Sequence, residues 1–121
     1  QMSGCTLTHN HPGGYSFSRD DVSVAYQAKL REIRDVGRNG TYVMRPPEGQ
    51  EIFDDQYIAD KTKFYIEDLA YLADGEVRRE SWLAIDKGSM TLEDANGTHY
   101  DKVWLLVAAW TGLRYSLEPV K

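Results

Sequence analysis

One cysteine, four prolines and no long apolar run mark this chain of 121 residues by what it has little of. The lone cysteine, Cys5, cannot close an intramolecular disulfide, so the fold must be held by its core, as is usual in reducing compartments. The longest apolar stretch, 103–110, falls far short of the roughly 18 residues a membrane span requires, and no basic-then-apolar signal segment opens the sequence. The expectation is a cytoplasmic protein with no membrane partner. Cations are also scarce: 14 Lys and Arg stand against 19 Asp and Glu, for a net charge of −5. So thin a spread of positive charge disfavours a nucleic-acid partner, leaving room only for a local basic groove. No internal repeat and no low-complexity tract is present.

What remains is the composition of an ordinary folded domain, 41% hydrophobic and 27% charged. At this length a single core is expected. Residues 5–9 (Cys-Thr-Leu-Thr-His) are short and β-branched and read as a strand that breaks at Pro12-Gly13-Gly14. From Ser18 the period changes: Val22, Tyr26, Leu30 and Ile33 recur every three or four residues, predicting a helix over 19–32. Two β-prone runs, 33–36 and 41–44, flank Gly37-Arg38-Asn39-Gly40, a hairpin signal because Asn and Gly both tolerate positive φ. Pro46-Pro47-Glu48-Gly49 then forms a stiff turn and the one plausible internal boundary.

Beyond it the pattern is helical. One helix is expected over 53–73 with a stop at Asp74-Gly75, a second over 76–85, one capped turn at Thr91–Asp94, and a last helix over 100–113 before a closing strand at 114–117. The fold class is α+β, with an α/β-like first half. Residues 1–46 form a strand–loop–helix–hairpin half of one domain, and residues 47–121 a mainly helical half.

The chemistry concentrates between His9 and Asp21. His9 and His11 are two residues apart, so in extended backbone both imidazoles project from one side and can reach one ion. Pro12 keeps His11 extended, and Gly13-Gly14 lets the chain turn back. If Ser18 caps the following helix, Asp21 lies in its first turn, where a carboxylate is favoured and can face the histidines. Two imidazoles and a carboxylate leave one tetrahedral position of zinc open to water, the arrangement of a catalytic site.

The string from His9 to Asp21 resembles the H-x-H-P…S-x-x-D signature of the JAMM (MPN-type) metalloproteases, in particular their RadC-like branch, and domains ending phage minor head proteins of the MuF-like kind. The resemblance covers the first third of the chain. It implies that His9, His11 and Asp21 bind zinc, that Ser18 helps stabilise an oxyanion, and that the protein is a metallopeptidase-like hydrolase of peptide or isopeptide bonds. A peptide or protein substrate and a phage protein partner follow from it, with localisation in the cytoplasm or on a phage particle. Six residues separate His11 from Ser18, one fewer than in the family. The family's general base is a glutamate upstream of the histidines; no acidic residue precedes His9 here, so a carboxylate must come from elsewhere.

Two other readings stay open. One is a phage-associated effector, a nuclease using His9 and His11 as an acid–base pair without metal. The other is a binding module of JAMM-like form that has lost catalysis and presents its helical half to a partner. Among the remaining residues, Ser18-x-x-Asp21 is also a helix capping box. Cys5, of the same strand parity as His9, reads first as a small buried thiol and second as a soft ligand. His99 reads as a surface loop residue, and Glu76, Arg78, Arg79 and Glu80 as a solvated helix face. Tyr57, Phe64, Tyr65, Tyr71, Trp104 and Trp110 are expected in the core.

Overall fold

The computed structural model describes residues 3–10 and 15–119, arranged as a four-stranded mixed sheet and four helices. Strand β1 (Thr6–Asn10) leads through helix α1 (Arg19–Gln27) to β2 (Glu32–Gly37), which lies parallel to β1. The expected hairpin then brings β3 (Gly40–Arg45) back antiparallel to β2. Helices α2 (Asp55–Thr62), α3 (Ile66–Asp86) and α4 (Leu92–Thr111) follow, and β4 (Arg114–Pro119) closes antiparallel on β3. Among the described residues no helix is long and apolar enough to cross a membrane.

Strand register sorts the sheet into rows. Paired residues point to the same face, so one face carries the row Leu7, Ile33, Met44, Tyr115 and, beside it, the row His9, Asp35, Tyr42, Leu117. Ile33 and Met44 are fully buried on this face, in the same cluster as Phe17, Val22, Leu30, Phe53, Ile58, Trp104 and Val107. That cluster draws on both halves of the chain. The opposite face carries, beside Val43, an ion-pair network: Glu32 accepts from Arg34 at 2.8 Å and from Arg45 at 2.6 Å, and Arg34 also reaches Glu118 at 3.2 Å. At the hairpin, Gly40 has φ +134, and an added Cβ would lie 2.3 Å from the Glu118 carbonyl, so β3 and β4 can meet there only over a glycine.

Several expected boundaries move. Helix α1 stops at Gln27 rather than at 32, because Lys29 turns left-handed (φ 53) and the N–H groups of Lys29 and Leu30 bond back to Tyr26 and Ala25, a Schellman closure. The helix expected over 53–73 is two helices, broken at Lys63 (φ 73). Conversely, Asp74-Gly75 stops nothing. Helix α3 runs through it to Asp86, with Ala73 and Val77 buried on either side. The capped turn at Thr91 opens all of α4, whose 20 residues absorb Gly97 and the helix expected from 100.

Residue placements change too. Cys5 is exposed, not buried. His99 lies inside α4 rather than in a loop and bonds Asp74 of α3 at 2.5 Å. Of the aromatics expected in the core, Trp104 is fully buried and Tyr57 packs at its edge, but Phe64, Tyr65, Tyr71 and Trp110 are exposed. The face bearing Arg78, Arg79 and Glu80 is solvated as expected, with Arg78 bonded to Asp74 and Arg79 to Glu76.

Candidate metal centre

Three elements deliver the site. His9 comes from β1, in register with Asp35 of β2. Asp21 comes from the first turn of α1, where free N–H groups and the helix dipole favour a carboxylate. Ser18 caps that helix: its Oγ accepts from the Asp21 N–H at 3.1 Å, and its own N–H donates to Asp21 Oδ2 at 3.0 Å. This capping box locks the carboxylate by one oxygen and leaves the other, Oδ1, 3.6 Å from His9 Nδ1. The Ser18 hydroxyl uses a lone pair in the cap and keeps its proton to donate.

Asp35 is the residue the motif did not announce. It has no exposed surface, and one of its carboxylate oxygens lies with a ring nitrogen of His9 and an oxygen of Asp21 in a group whose atoms are all within 4.8 Å of one another. The signal was in the strand pattern. Asp35 shares inward parity with Ile33, so alternation places an acid on the buried face, while its place beside His9 follows from the register of β1 with β2.

The donor set suits a divalent cation. Ligands of a tetrahedral ion bound at about 2.1 Å stand roughly 3.4 Å apart, close to the separation of His9 Nδ1 and Asp21 Oδ1. Two carboxylates brought together at a buried position repel each other, and a cation between them reverses the sign of that interaction. One nitrogen and two carboxylate oxygens are donors zinc accepts, and they are compatible with other borderline and hard divalent ions. His11, the second expected imidazole, lies outside the described residues. Thus the structure brings His9, Asp21 and Ser18 together, and Asp35 joins them.

The segment between motif and helix is held from the other end of the chain. Ser16 Oγ lies 2.6 Å from the Tyr115 hydroxyl, which donates to Asp101 Oδ1 at 2.7 Å. Trp104 Nε1 donates to the Phe17 carbonyl at 2.7 Å. The Tyr115 ring stacks on Tyr42 (centroids 6.1 Å apart, planes within 7°) and meets Phe17 edge-on. Burial, with Asp101 beside it, pushes the Tyr115 phenol far above its ordinary range, so it stays a neutral donor. Nothing in the sequence motif pointed to Ser16, Asp101, Trp104 or Tyr115 as neighbours of the site. No protein-family model, curated protein or solved structure matches this chain.

Proposed function

We propose that this protein is a zinc-dependent hydrolase of JAMM type acting on a peptide or isopeptide bond, with His9, His11 and Asp21 as metal ligands and Ser18 as the oxyanion partner. The observation that carries the reading is the convergence of His9, Asp21 and Asp35 from three different elements, at the position the H-x-H-P…S-x-x-D resemblance marks for a cation. A zinc ion bound there would lower the pKa of its water toward neutrality and polarise the scissile carbonyl.

The chain's own groups supply the rest. Asp35 contributes the carboxylate that the upstream glutamate supplies in the family and accepts the proton released from water. Asp21 is oriented by its bonds with Ser18. The Ser18 hydroxyl, with its proton unused by the cap, donates to the oxygen that gains negative charge as the carbonyl is attacked. A cation held there would also account for two carboxylates meeting on a face otherwise given to the core.

The test is a titration followed by an assay. Purified protein should take up one equivalent of zinc and lose most of that affinity in His11→Ala and Asp21→Ala. Hydrolysis of a peptide library should stop on EDTA and return with zinc. Cleavage of RNA that survives EDTA would favour the metal-free nuclease, and tight zinc binding without turnover of any peptide would favour the inactive binding module.

A further inference from the structure

We infer that Tyr115 and Trp104 are positioning residues that clamp residues 16–18 and thereby set where Ser18 and Asp21 stand, so that the C-terminal helix and strand are part of the candidate site. The inference rests on the metal reading above for its consequence and on geometry alone for its mechanism. Residues 15–18 belong to no strand or helix, so their path is fixed by what grips them. The grips fall on consecutive residues. Ser16 bonds Tyr115, the Phe17 carbonyl takes the Trp104 indole N–H, and Ser18 closes the capping box with Asp21.

The direction of these bonds gives the clamp its rigidity. Tyr115 has one hydroxyl proton and donates it to Asp101, so its oxygen accepts from Ser16. The chain Ser16 to Tyr115 to Asp101 thus ends on a carboxylate, which strengthens the bonds before it. Ser16 is 4% exposed and Phe17 and Trp104 are not exposed at all, so water competes poorly for these bonds. A ring needed only for packing between Tyr42 and Phe17 would function as phenylalanine. Here the hydroxyl, carried on β4, ties the loop at Ser16, 99 residues away along the chain, to Asp101 of α4. Ser18 lies two residues beyond Ser16 and Asp21 three beyond that, so the slack the clamp removes would otherwise appear in the Asp21 carboxylate and its 3.6 Å approach to His9.

Amide hydrogen exchange on the full chain tests the clamp without metal. Tyr115→Phe should speed exchange at residues 18–21 by about tenfold, the scale of one lost buried hydrogen bond, and should weaken zinc binding by a similar factor. Ile58→Ala, a core truncation in α2, should lower the melting temperature at least as much yet leave both readouts near wild type. Should Tyr115→Phe fail to fold, Asp101→Asn, which keeps an acceptor but removes the charge, should give a smaller acceleration at the same amides. Unchanged exchange at 18–21 in a folded Tyr115→Phe or Asp101→Asn, or equal acceleration in Ile58→Ala, overturns the inference. If the wild type binds no zinc, the metal reading falls while the exchange result still decides the clamp.

Discussion

A carboxylate as deeply buried as Asp35, set beside a second carboxylate, raises the cost of the metal-free fold and lowers that of the loaded one. The two effects separate experimentally. Asp35→Asn, which sheds one of the two negative charges and keeps a polar side chain of the same size, should still fold without metal yet bind zinc about 10- to 100-fold more weakly. Calorimetric melting with and without zinc reads both, and a variant destabilised in the absence of metal with unchanged affinity contradicts the assignment. A second residue-scale case is Asp55. Its Oδ1 accepts from the Ile66 N–H at 2.8 Å and so caps α3, which its own N-cap residue Tyr65 does not do by side chain. Burial, with Glu67, Asp68 and Asp54 nearby, raises the Asp55 pKa although the Ile66 bond opposes it. Asp55→Asn, which keeps an acceptor and sheds the charge, should therefore be neutral or stabilising at pH 7, whereas Asp55→Ala should cost about 1 kcal/mol in urea unfolding.

At the scale of elements, local chemistry and packing pull in different directions, and each contest has a measurable size. Gly75 and Gly97 lie within α3 and α4, and a Cβ at either would meet nothing within 4 Å. Gly75→Ala and Gly97→Ala should each stabilise the protein by about 0.5–1 kcal/mol, seen as a raised denaturation midpoint. Lys29 holds the left-handed position of the α1 Schellman closure, where Lys29→Gly should be neutral or stabilising. These same residues show what was legible. The capping box at Ser18, the Thr91 cap, the Asn39-Gly40 hairpin and the closing strand were readable because a few neighbouring residues determine each of them. The breaks at Lys29 and Lys63 were not, since a lysine in left-handed conformation carries no sequence sign. Gly75 misled for the complementary reason: burial of Ala73 and Val77 in the core outweighs one glycine's helix penalty.

For the whole molecule, the α+β class was legible in the switch of hydrophobic period, and half the site in the His9-to-Asp21 string. Asp35 required knowing that β2 lies in register beside β1, and the Tyr115 clamp required knowing that the last strand returns to β3. Both are long-range facts that spacing along the chain does not encode. Long-range charge also governs the pH response. Burial pushes the carboxyls of Glu32 and Asp74 up, but Arg34 and Arg45 around the first, and His99 and Arg78 around the second, outweigh it and hold both below the usual range. A depressed carboxylate stabilises above its unfolded pKa, about 4, and loses that contribution as pH falls through the folded value. Urea midpoints should thus be steady from pH 7 to 5 and fall below about pH 4, and Asp74→Asn should flatten part of that fall.

The central claim is that His9 of β1 and Asp21 of α1 share one cation with Asp35 of β2 facing it, and anomalous diffraction at the zinc edge from crystals grown with zinc tests it most directly. The account predicts a single strong peak about 2.0–2.2 Å from a ring nitrogen of His9 and from a carboxylate oxygen of Asp21, with Asp35 facing it. Zinc bound only at other sites, with His9, Asp21 and Asp35 ordered and no peak among them, would contradict it.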